Sequence, residues 1–346
     1  MHYRTLGRSG VQVSQLSLGT MMFGRGGNKD EDECVEMVQQ ALGAGINLFD
    51  SADGYGLGDA EAILGRALRG HRADALIATK CYFPRGREVN RRGGSRRWIR
   101  QACDESLRRL DTDYIDLYQL HRLDPQTDWS ESLGALDELV AAGKVRMVGT
   151  SGATAHEQVE LARLAQRHRL PRMTSEQLAY SIFTRRAETA ELEACRRYGI
   201  GVIAYGPLNG GWLSGKYRAG DPPPETSRAA RAFYNRSWWD RERLEVQHKL
   251  SSLEPLARIA ADSGRSLPSL AVDFVLSHPS ITSAIVGPRT LQQLTPFLIG
   301  ERGPLAHDVL DAIDQLVAPG VDVDPTDMVT FDPALESNSR RPAPRR

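Results

Sequence analysis

The feature that most constrains the fold of this chain is a regular alternation of short apolar segments with longer amphipathic ones. Short apolar runs bounded by turn residues are typical of buried parallel strands, whereas a 3.6-residue apolar period is typical of helices. Eight strand-like segments occur, the first ending near Leu18-Gly19 and the others covering residues 46–49, 75–78, 114–118, 145–148, 173–177, 201–205 and 283–286. Because eight such units close more readily than they extend, we predict a (β/α)8 TIM barrel in one domain.

Helix-like segments follow every strand-like one. They cover residues 31–42, 61–68, 97–110, 131–142, 155–168, 188–198, 253–263, 270–276, 291–299 and 309–316. An alternating start around Gly7 and Gly10 predicts an N-terminal β-hairpin. We therefore assign residues 1–320 to the barrel and residues 321–346 to a C-terminal extension. The end of that extension is rich in Ser, Pro and Arg, and we expect it to be partly disordered.

Composition excludes several classes of function. Lys plus Arg equals Asp plus Glu at 44 each, so no overall charge attracts nucleic acid or an anionic membrane. The four cysteines show no CxxC spacing, and no His/Cys cluster predicts a metal site. The chain starts on polar residues and contains no apolar run long enough to span a bilayer, so we expect a cytoplasmic protein without a membrane partner. Oligomeric state is left open.

Polar or aromatic residues close almost every predicted strand. In a barrel of this type the carboxyl ends of the strands meet at one mouth, where catalytic groups lie. One such residue would be ordinary, but a whole series directed into one mouth predicts a site. The residues at these ends are Asp50, Lys80, His121, Ser151, Gln177, Tyr205 and Gly287.

The chemistry of this set favours proton donation to an oxygen. Tyr55 lies in the glycine-rich turn after Asp50, and a tyrosine, with an ordinary pKa of about 10, is a reluctant acid near neutral pH. A buried ammonium such as that of Lys80 would lower the Tyr55 pKa, and Asp50 is the carboxylate available to accompany it. His121 would orient and polarise a carbonyl oxygen. The four residues are therefore predicted to protonate an oxygen while a hydride reaches the adjoining carbon.

These motifs resemble those of the aldo-keto reductase superfamily. The matching stretches are Asp50-Ser-Ala-Asp-Gly-Tyr55-Gly, Ala-Thr-Lys80 and Gln-Leu-His121, and the similarity extends from about Tyr3 to Gly320. Within the superfamily the chain is similar to bacterial reductases related to the potassium-channel β subunits, through residues 206–217 and Ser227-Arg228-Ala229. The resemblance implies a reductase of aldehydes or ketones, with Tyr55 as general acid, Lys80 and Asp50 tuning it, and His121 orienting the carbonyl.

The resemblance also implies that NADPH lies across the barrel mouth. Tyr205 would stack on the nicotinamide, Ser151 and Gln177 would hold its carboxamide, and Gly287, Arg289 and Gln293 would meet the adenosine end. The full set that it implies is Gly19, Thr20, Met21, Asp50, Ser151, Gln177, Tyr205, Gly206, Pro207, Leu208, Lys216, Arg228, Gly287, Arg289 and Gln293. The chain departs from the family pattern at Gly152, at Gly206 and at Pro296-Phe297, and the first and third departures affect expected cofactor contacts.

Two other classes of function remain open beside the carbonyl reductase. One is an NADPH-binding regulatory subunit with little turnover, and the other is a reductase of a nucleotide-linked deoxysugar. A P-loop is excluded because Tyr217 stands where GxxxxGK needs Ser or Thr, and no GxGxxG fingerprint occurs. The arginine-rich loop, Arg85 to Arg97, is interpreted as either a solvated loop or an attractor of an anionic substrate. Trp238 and Trp239 are interpreted as either a lid or packing beneath a loop. The physiological substrate and the direction of the reaction are not predicted.

Overall fold

Eight parallel strands close into a barrel, preceded by a two-stranded antiparallel hairpin. The structure is a computed structural model that describes residues 1–225, 227–229, 236–299 and 303–327. The hairpin strands are β1 (Tyr3–Thr5) and β2 (Gln12–Ser14). The barrel strands are β3 (Leu16–Gly19), β4 (Leu48–Asp50), β5 (Leu76–Cys81), β6 (Ile115–Leu120), β7 (Val145–Ser151), β8 (Ser175–Ala179), β9 (Gly201–Tyr205) and β10 (Ile281–Val286). The predicted barrel and hairpin are confirmed.

The barrel closes where the last strand, β10, pairs with the first barrel strand, β3. Val286 lies opposite Leu18 in this parallel pair, and the Ser283 hydroxyl donates to the Ser14 carbonyl oxygen over 2.8 Å. A Cβ atom on Gly19 would lie 2.6 Å from Cγ2 of Ile285. Only glycine therefore permits this close approach of the two strands at the barrel mouth.

Ten helices surround the barrel within the described residues. They are α1 (Glu31–Gly43), α2 (Asp59–Ala67), α3 (Arg96–Leu110), α4 (Trp129–Ala141), α5 (Ala155–His168), α6 (Glu191–Tyr198), α7 (Leu244–Asp262), α8 (Leu267–Ser277), α9 (Leu291–Leu298) and α10 (His307–Leu316). Side-chain caps fix several starting points: the Asp30 carboxylate accepts from the first-turn amides of α1, and Glu157 accepts from the Thr154 amide ahead of α5. These are the residue types that satisfy free amides at helix starts.

Helix α7 begins at Leu244, well before the predicted start at residue 253. A start at residue 253 would place Pro255 in the first turn, where proline is tolerated. In the structure Pro255 lies inside the helix. Val246, Leu250, Leu253 and Leu256 are all buried, and their spacing forms one apolar face. Burial of this face outweighs the interruption by proline.

Residues 321–327, the first part of the predicted C-terminal extension, pack against the loop after β8. The Val323 amide donates to the Phe183 carbonyl oxygen over 2.9 Å, and Thr184 and Asp322 form an antiparallel bridge. Asp324 is fully buried. The rest of the predicted extension, residues 328–346, lies outside the described residues.

Candidate active site

Strand register brings the predicted site residues to one rim of the barrel. Asp50 pairs with Gly19 on one side and with Ala78 on the other, and Ser151 pairs with Gln177. Parallel strands end at the same edge, so these side chains share the mouth with Lys80, which lies near the end of β5.

Tyr55 is presented by a tight turn between β4 and α2. The Tyr55 amide donates to the Ala52 carbonyl oxygen, and the Leu57 amide donates to that of Gly54, each over 3.1 Å. Leu57 has φ 59° and ψ 27°, a left-handed conformation that costs a residue with a side chain about 1–2 kcal/mol. The Tyr55 ring meets the His121 ring edge to face, with 6.0 Å between the centroids. Strain of this kind persists where the surrounding structure holds the turn in place.

A buried ion pair lies beneath Tyr55. The fully buried Lys80 ammonium donates to Oδ2 of Asp50 over 2.8 Å and to the Ser51 carbonyl oxygen over 2.6 Å. The other Asp50 oxygen, Oδ1, accepts from Nε2 of Gln177 over 2.7 Å. Lys80 Nζ is 5.1 Å from the centroid of the Tyr55 ring. Gln177 thus connects the Lys80–Asp50 pair to the place predicted for the cofactor carboxamide.

Burial and neighbouring charges set the protonation of Lys80, His121 and Tyr55. Burial alone would lower the Lys80 pKa, but Asp50 and then Tyr55 more than offset it, so the pKa is raised and the ammonium persists. Burial lowers the His121 pKa well below its ordinary value, with Lys80 and Arg122 adding to the effect. His121 is therefore a neutral imidazole at neutral pH, able to donate one N–H.

The pKa of Tyr55 differs from the sequence-based expectation. Burial raises it above the ordinary value, Lys80 opposes this, and Asp50 adds to the rise. Lys80 thus acts in the predicted direction, but the larger effect of burial leaves the pKa raised. Asp50 raises the Lys80 pKa and so keeps the ammonium charged, but it does not itself lower the Tyr55 pKa.

We expect Asp50→Asn to lower turnover roughly 10- to 100-fold, the value of a charged hydrogen bond, and to change cofactor affinity less. An amide that keeps its oxygen toward Lys80 turns its NH2 group toward the Gln177 NH2 group, so two donors meet. Lys80 also loses its counter-charge in a buried place. Steady-state kinetics and cofactor titration measure the two effects. Asp74→Asn, at an exposed carboxylate, is the matched control. Normal turnover of Asp50→Asn across the pH range would show that Asp50 only packs the turn.

The residues predicted to hold a cofactor lie in or just after six strands, including Asp50 at the end of β4. Gly19, Thr20 and Met21 end or follow β3, Ser151 ends β7, and Gln177 lies in β8. Tyr205, Gly206, Pro207, Leu208, Lys216 and Arg228 end or follow β9, and Gly287, Arg289 and Gln293 follow β10. Since β9, β10 and β3 are neighbours, these loops form a continuous band along one side of the mouth. The Thr20 hydroxyl is already used internally, on the Asp50 carbonyl oxygen and the Ser51 hydroxyl.

This band fits an extended, anionic dinucleotide. Space is open where a Cβ would stand at Gly206, which has φ 69°, and at Gly287. Burial lowers the Lys216 pKa, and the nearby Arg228 lowers it further. Two cations that repel each other form a favourable place for a phosphate group. Among the described residues no carboxylate forms a salt bridge with Lys216.

Trp238 and Trp239 pack beneath the loop after β9. The Trp239 ring lies 4.7 Å from both the Trp212 and the Tyr217 rings, and the Trp238 ring lies 5.1 Å from Trp212. Trp212 and Tyr217 are fully buried. Of the two interpretations, the contacts favour packing over a lid on the substrate.

The arginine-rich loop is largely bound to the rest of the chain. Arg91 pairs with Glu105 over 2.8 Å, Arg96 pairs with Glu131 over 2.8 Å, and Arg85 Nη2 donates to the Leu57 carbonyl oxygen over 2.9 Å. These contacts favour a structural role for those three residues over attraction of an anionic substrate.

Three residues near the mouth were missed by sequence reasoning. Arg122 donates to the His121 carbonyl oxygen and approaches Oγ of Ser151 at 3.4 Å. Phe83 packs edge to face on His121 at 4.8 Å and remains 38% exposed, so it borders the space above the imidazole. Glu176, whose pKa burial raises to about 8, accepts from the Ala153 amide over 3.0 Å. The available signal was adjacency: Arg122 and Glu176 directly neighbour His121 and Gln177.

Comparison with known proteins agrees with this geometry. The family model for aldo/keto reductases matches residues 15–318, so the chain belongs to the aldo/keto reductase family. It is 36% identical over 327 residues to the uncharacterized oxidoreductase YrpG of Bacillus subtilis (strain 168), covering 91% of this chain and 96% of the relative. It is also 34% identical to probable voltage-gated potassium channel subunits beta of Oryza sativa subsp. japonica and Arabidopsis thaliana, over 323 and 326 residues. Each of those matches covers 92% of this chain and 97% of the relative.

Family membership makes the chain an oxidoreductase of a group that generally binds NAD(P)H. None of the helices in the described part of the chain has the length and apolar character needed to cross a membrane.

Proposed function

We propose that this protein is an NADPH-dependent reductase of aldehydes or ketones. The observation that carries the proposal is the fully buried Lys80 ammonium, held by Asp50 next to Tyr55 and His121. A buried charge is costly to maintain unless it is paired. Its place beneath Tyr55, a phenol at the barrel mouth that contacts His121, is explained by proton transfer, since strongly shifted titrating groups cluster at functional sites.

Reduced nicotinamide, when bound, supplies a hydride to the carbonyl carbon. Tyr55 gives its phenolic proton to the carbonyl oxygen, and the Lys80 ammonium stabilises the phenolate that remains. Neutral His121 donates an N–H to the same oxygen and orients it. Asp50 keeps Lys80 charged and in place, and Phe83 limits the access of water above His121. The alcohol receives one hydride and one proton, which balances the reduction.

A panel of aldehydes, ketones and quinones with NADPH tests the proposal. We expect steady oxidation of NADPH, followed at 340 nm, with at least one aldehyde. The second candidate is an NADPH-binding regulatory subunit, which the two plant relatives named as channel subunits support. Tight NADPH binding without turnover on any carbonyl would favour that candidate. The third interpretation, a reductase of a nucleotide-linked deoxysugar, loses part of its support because Arg85, Arg91 and Arg96 are engaged within the chain.

We expect Arg289→Ala to weaken NADPH binding about 10- to 100-fold and to leave NADH binding nearly unchanged. A guanidinium that binds the 2′-phosphate contributes a charged hydrogen bond that NADH lacks. Arg289 is half-buried on the loop after β10, and its amide donates to Oε1 of Gln293 over 2.9 Å, which fixes the backbone of that loop. Fluorescence titration with both cofactors measures the ratio. Arg163→Ala, at an exposed arginine on α5, is the control, and equal losses for both cofactors would place Arg289 away from the 2′-phosphate.

A further inference from the structure

A second buried carboxylate, Asp53, lies in the turn that carries Tyr55. Its side chain is 1% exposed, and neither carboxylate oxygen has a hydrogen-bond partner among the described residues. The Gly54 amide is near but outside hydrogen-bond geometry. The backbone of Asp53 is well fixed, since its amide donates to the Lys80 carbonyl oxygen over 3.0 Å. A buried polar group without partners is costly, so this carboxylate calls for a functional explanation.

Charged and titratable groups face Asp53 from each neighbouring element. They are Glu61 on α2, Cys81 on β5, Arg85 on the loop after β5, Arg109 on α3 and Tyr118 on β6. Glu61 is satisfied, because it accepts from Thr79 over 2.6 Å and from Arg109 over 2.7 Å. Asp53 therefore differs from the other buried carboxylate in its cluster in having no committed donor.

Two of these cations converge on the end of the Tyr55 turn. A Cβ atom on Gly58, which has φ 105°, would lie 2.7 Å from Cδ of Arg109 and 3.3 Å from Nη2 of Arg85. The same Arg85 nitrogen holds the carbonyl oxygen of the strained Leu57. Arg85 thus links the Tyr55 turn to the loop that carries Phe83, and Phe83 packs on His121.

We propose that Asp53 is a proton-linked positioning residue that acts through Arg85. When Asp53 is ionised it attracts Arg85 and holds the Tyr55 turn against the loop of Phe83, so the mouth is narrow and ordered. When Asp53 takes up a proton, that attraction is lost and the two loops separate more easily. The substrate then meets a looser site above Tyr55 and His121. This inference rests on the proposed carbonyl reduction.

The proton would be exchanged near neutral pH. Burial raises the Asp53 pKa to about 7, Glu61 raises it further, and Arg85 and Arg109 oppose the rise. Because the folded pKa lies above the unfolded one, folded-state stability is greatest at acid pH and declines as the pH rises toward 7. The ionised carboxylate therefore reduces stability at the pH where it orders the mouth, which is typical of a group kept for function.

The kinetic test compares the parent protein with Asp53→Asn between pH 5.5 and 9 at saturating NADPH. In the parent, KM for an aldehyde is expected to fall several-fold as the pH rises through about 7. In Asp53→Asn, a variant of similar size that does not titrate, KM is expected to stay at the acid value throughout. Asp74→Asn should follow the parent. A variant profile with the same inflection as the parent, or a parent profile without one, would overturn the proposal.

A second measurement does not depend on turnover. The loop after β5 contains Arg85, Arg87, Arg91 and Arg92, and trypsin cleaves at these arginines faster when the loop is more mobile. At pH 8.5 the loop of Asp53→Asn is expected to be cut several-fold faster than that of the parent and of Asp74→Asn, with sites identified by mass spectrometry. Equal cleavage rates would overturn the proposal that Asp53 holds the two loops together through Arg85. Faster cleavage in a protein that reduces no carbonyl would support that role of Asp53 but reject the proposed function.

Thermal unfolding identifies the titrating group. The Tm of Asp53→Asn relative to the parent is expected to be highest above pH 7 and to fall as the pH is lowered toward 5, because the parent then takes up the proton that relieves the buried charge. A Tm difference that does not change with pH would show that Asp53 is not the group that titrates, and would overturn the proposal.

Discussion

The Tyr55→Phe variant is expected to reduce an aldehyde about 10²- to 10⁴-fold more slowly than the parent, the usual value of general acid catalysis. Phenylalanine keeps the ring, and therefore the edge-to-face contact with His121, while it deletes the transferable proton. The Lys80 ammonium loses its contact with the hydroxyl but keeps its hydrogen bonds to Asp50 and to the Ser51 carbonyl oxygen. Binding of NADPH should stay within a few-fold of the parent.

The assay uses an aldehyde at saturating NADPH, together with fluorescence titration of the cofactor. A readily reduced quinone is a poor substrate for this purpose, since it accepts hydride with little help from an acid. Tyr82→Phe is the matched control. Tyr82 contacts Phe83 edge to face at 5.4 Å, so this substitution removes a nearby phenol hydroxyl that has no role in the proposed proton transfer. A Tyr55→Phe enzyme that works at nearly the parent rate would show that another group is the acid.

A chain that ends at Gly320 is expected to unfold with a free energy about 3–5 kcal/mol lower than one that ends at Asp327, the usual cost of breaking a buried ion pair. Lys249 is fully buried, forms an ion pair with Asp327, and lies 3.8 Å from Asp324. Arg243 also donates to Asp324, over 3.0 Å. The shorter chain loses both carboxylates and leaves the Lys249 ammonium without them.

Urea unfolding followed by tryptophan fluorescence measures the difference, since Lys249 Nζ lies 5.3 Å from the Trp212 ring. The pair of truncations is its own control, because both lack residues 328–346. Lys249→Met in the shorter chain should recover part of the loss, as it removes the unpaired charge. Identical unfolding midpoints for the two chains would mean that residues 321–327 contribute nothing to the barrel.

Local sequence patterns predicted most of the fold and part of the site. Strands and helices follow from apolar periodicity within short windows, and barrel register then places Asp50, Lys80 and Gln177 at one rim without further information. The start of α7 at Leu244 was missed, and the apolar face that extends the helix through Pro255 is stabilised by tertiary packing rather than by a local signal.

Contacts between distant parts of the chain could not be predicted. The sequence contains Trp238-Trp239 but does not show that these rings pack against Trp212 and Tyr217. It contains Asp53 but does not show that the carboxylate lacks hydrogen-bond donors among the described residues. The net rise in the Tyr55 pKa was missed for the same reason: Lys80 lowers the pKa as predicted from the motifs, but burial raises it by more, and the extent of burial depends on the whole mouth.

Closure of the barrel through β3 and β10 also determines how early during synthesis the complete barrel mouth can form. The contact between Ser283 and Ser14 joins residues 269 positions apart, so it cannot form on the ribosome until nearly the whole barrel has emerged. Long-range pairings of this kind form late and leave unpaired strand edges exposed in the meantime. Gly19 and Gly287 come together only through this seam. A nascent chain therefore has strands β4 and β5, which carry Asp50 and Lys80, long before it has all of the loops predicted to hold the cofactor.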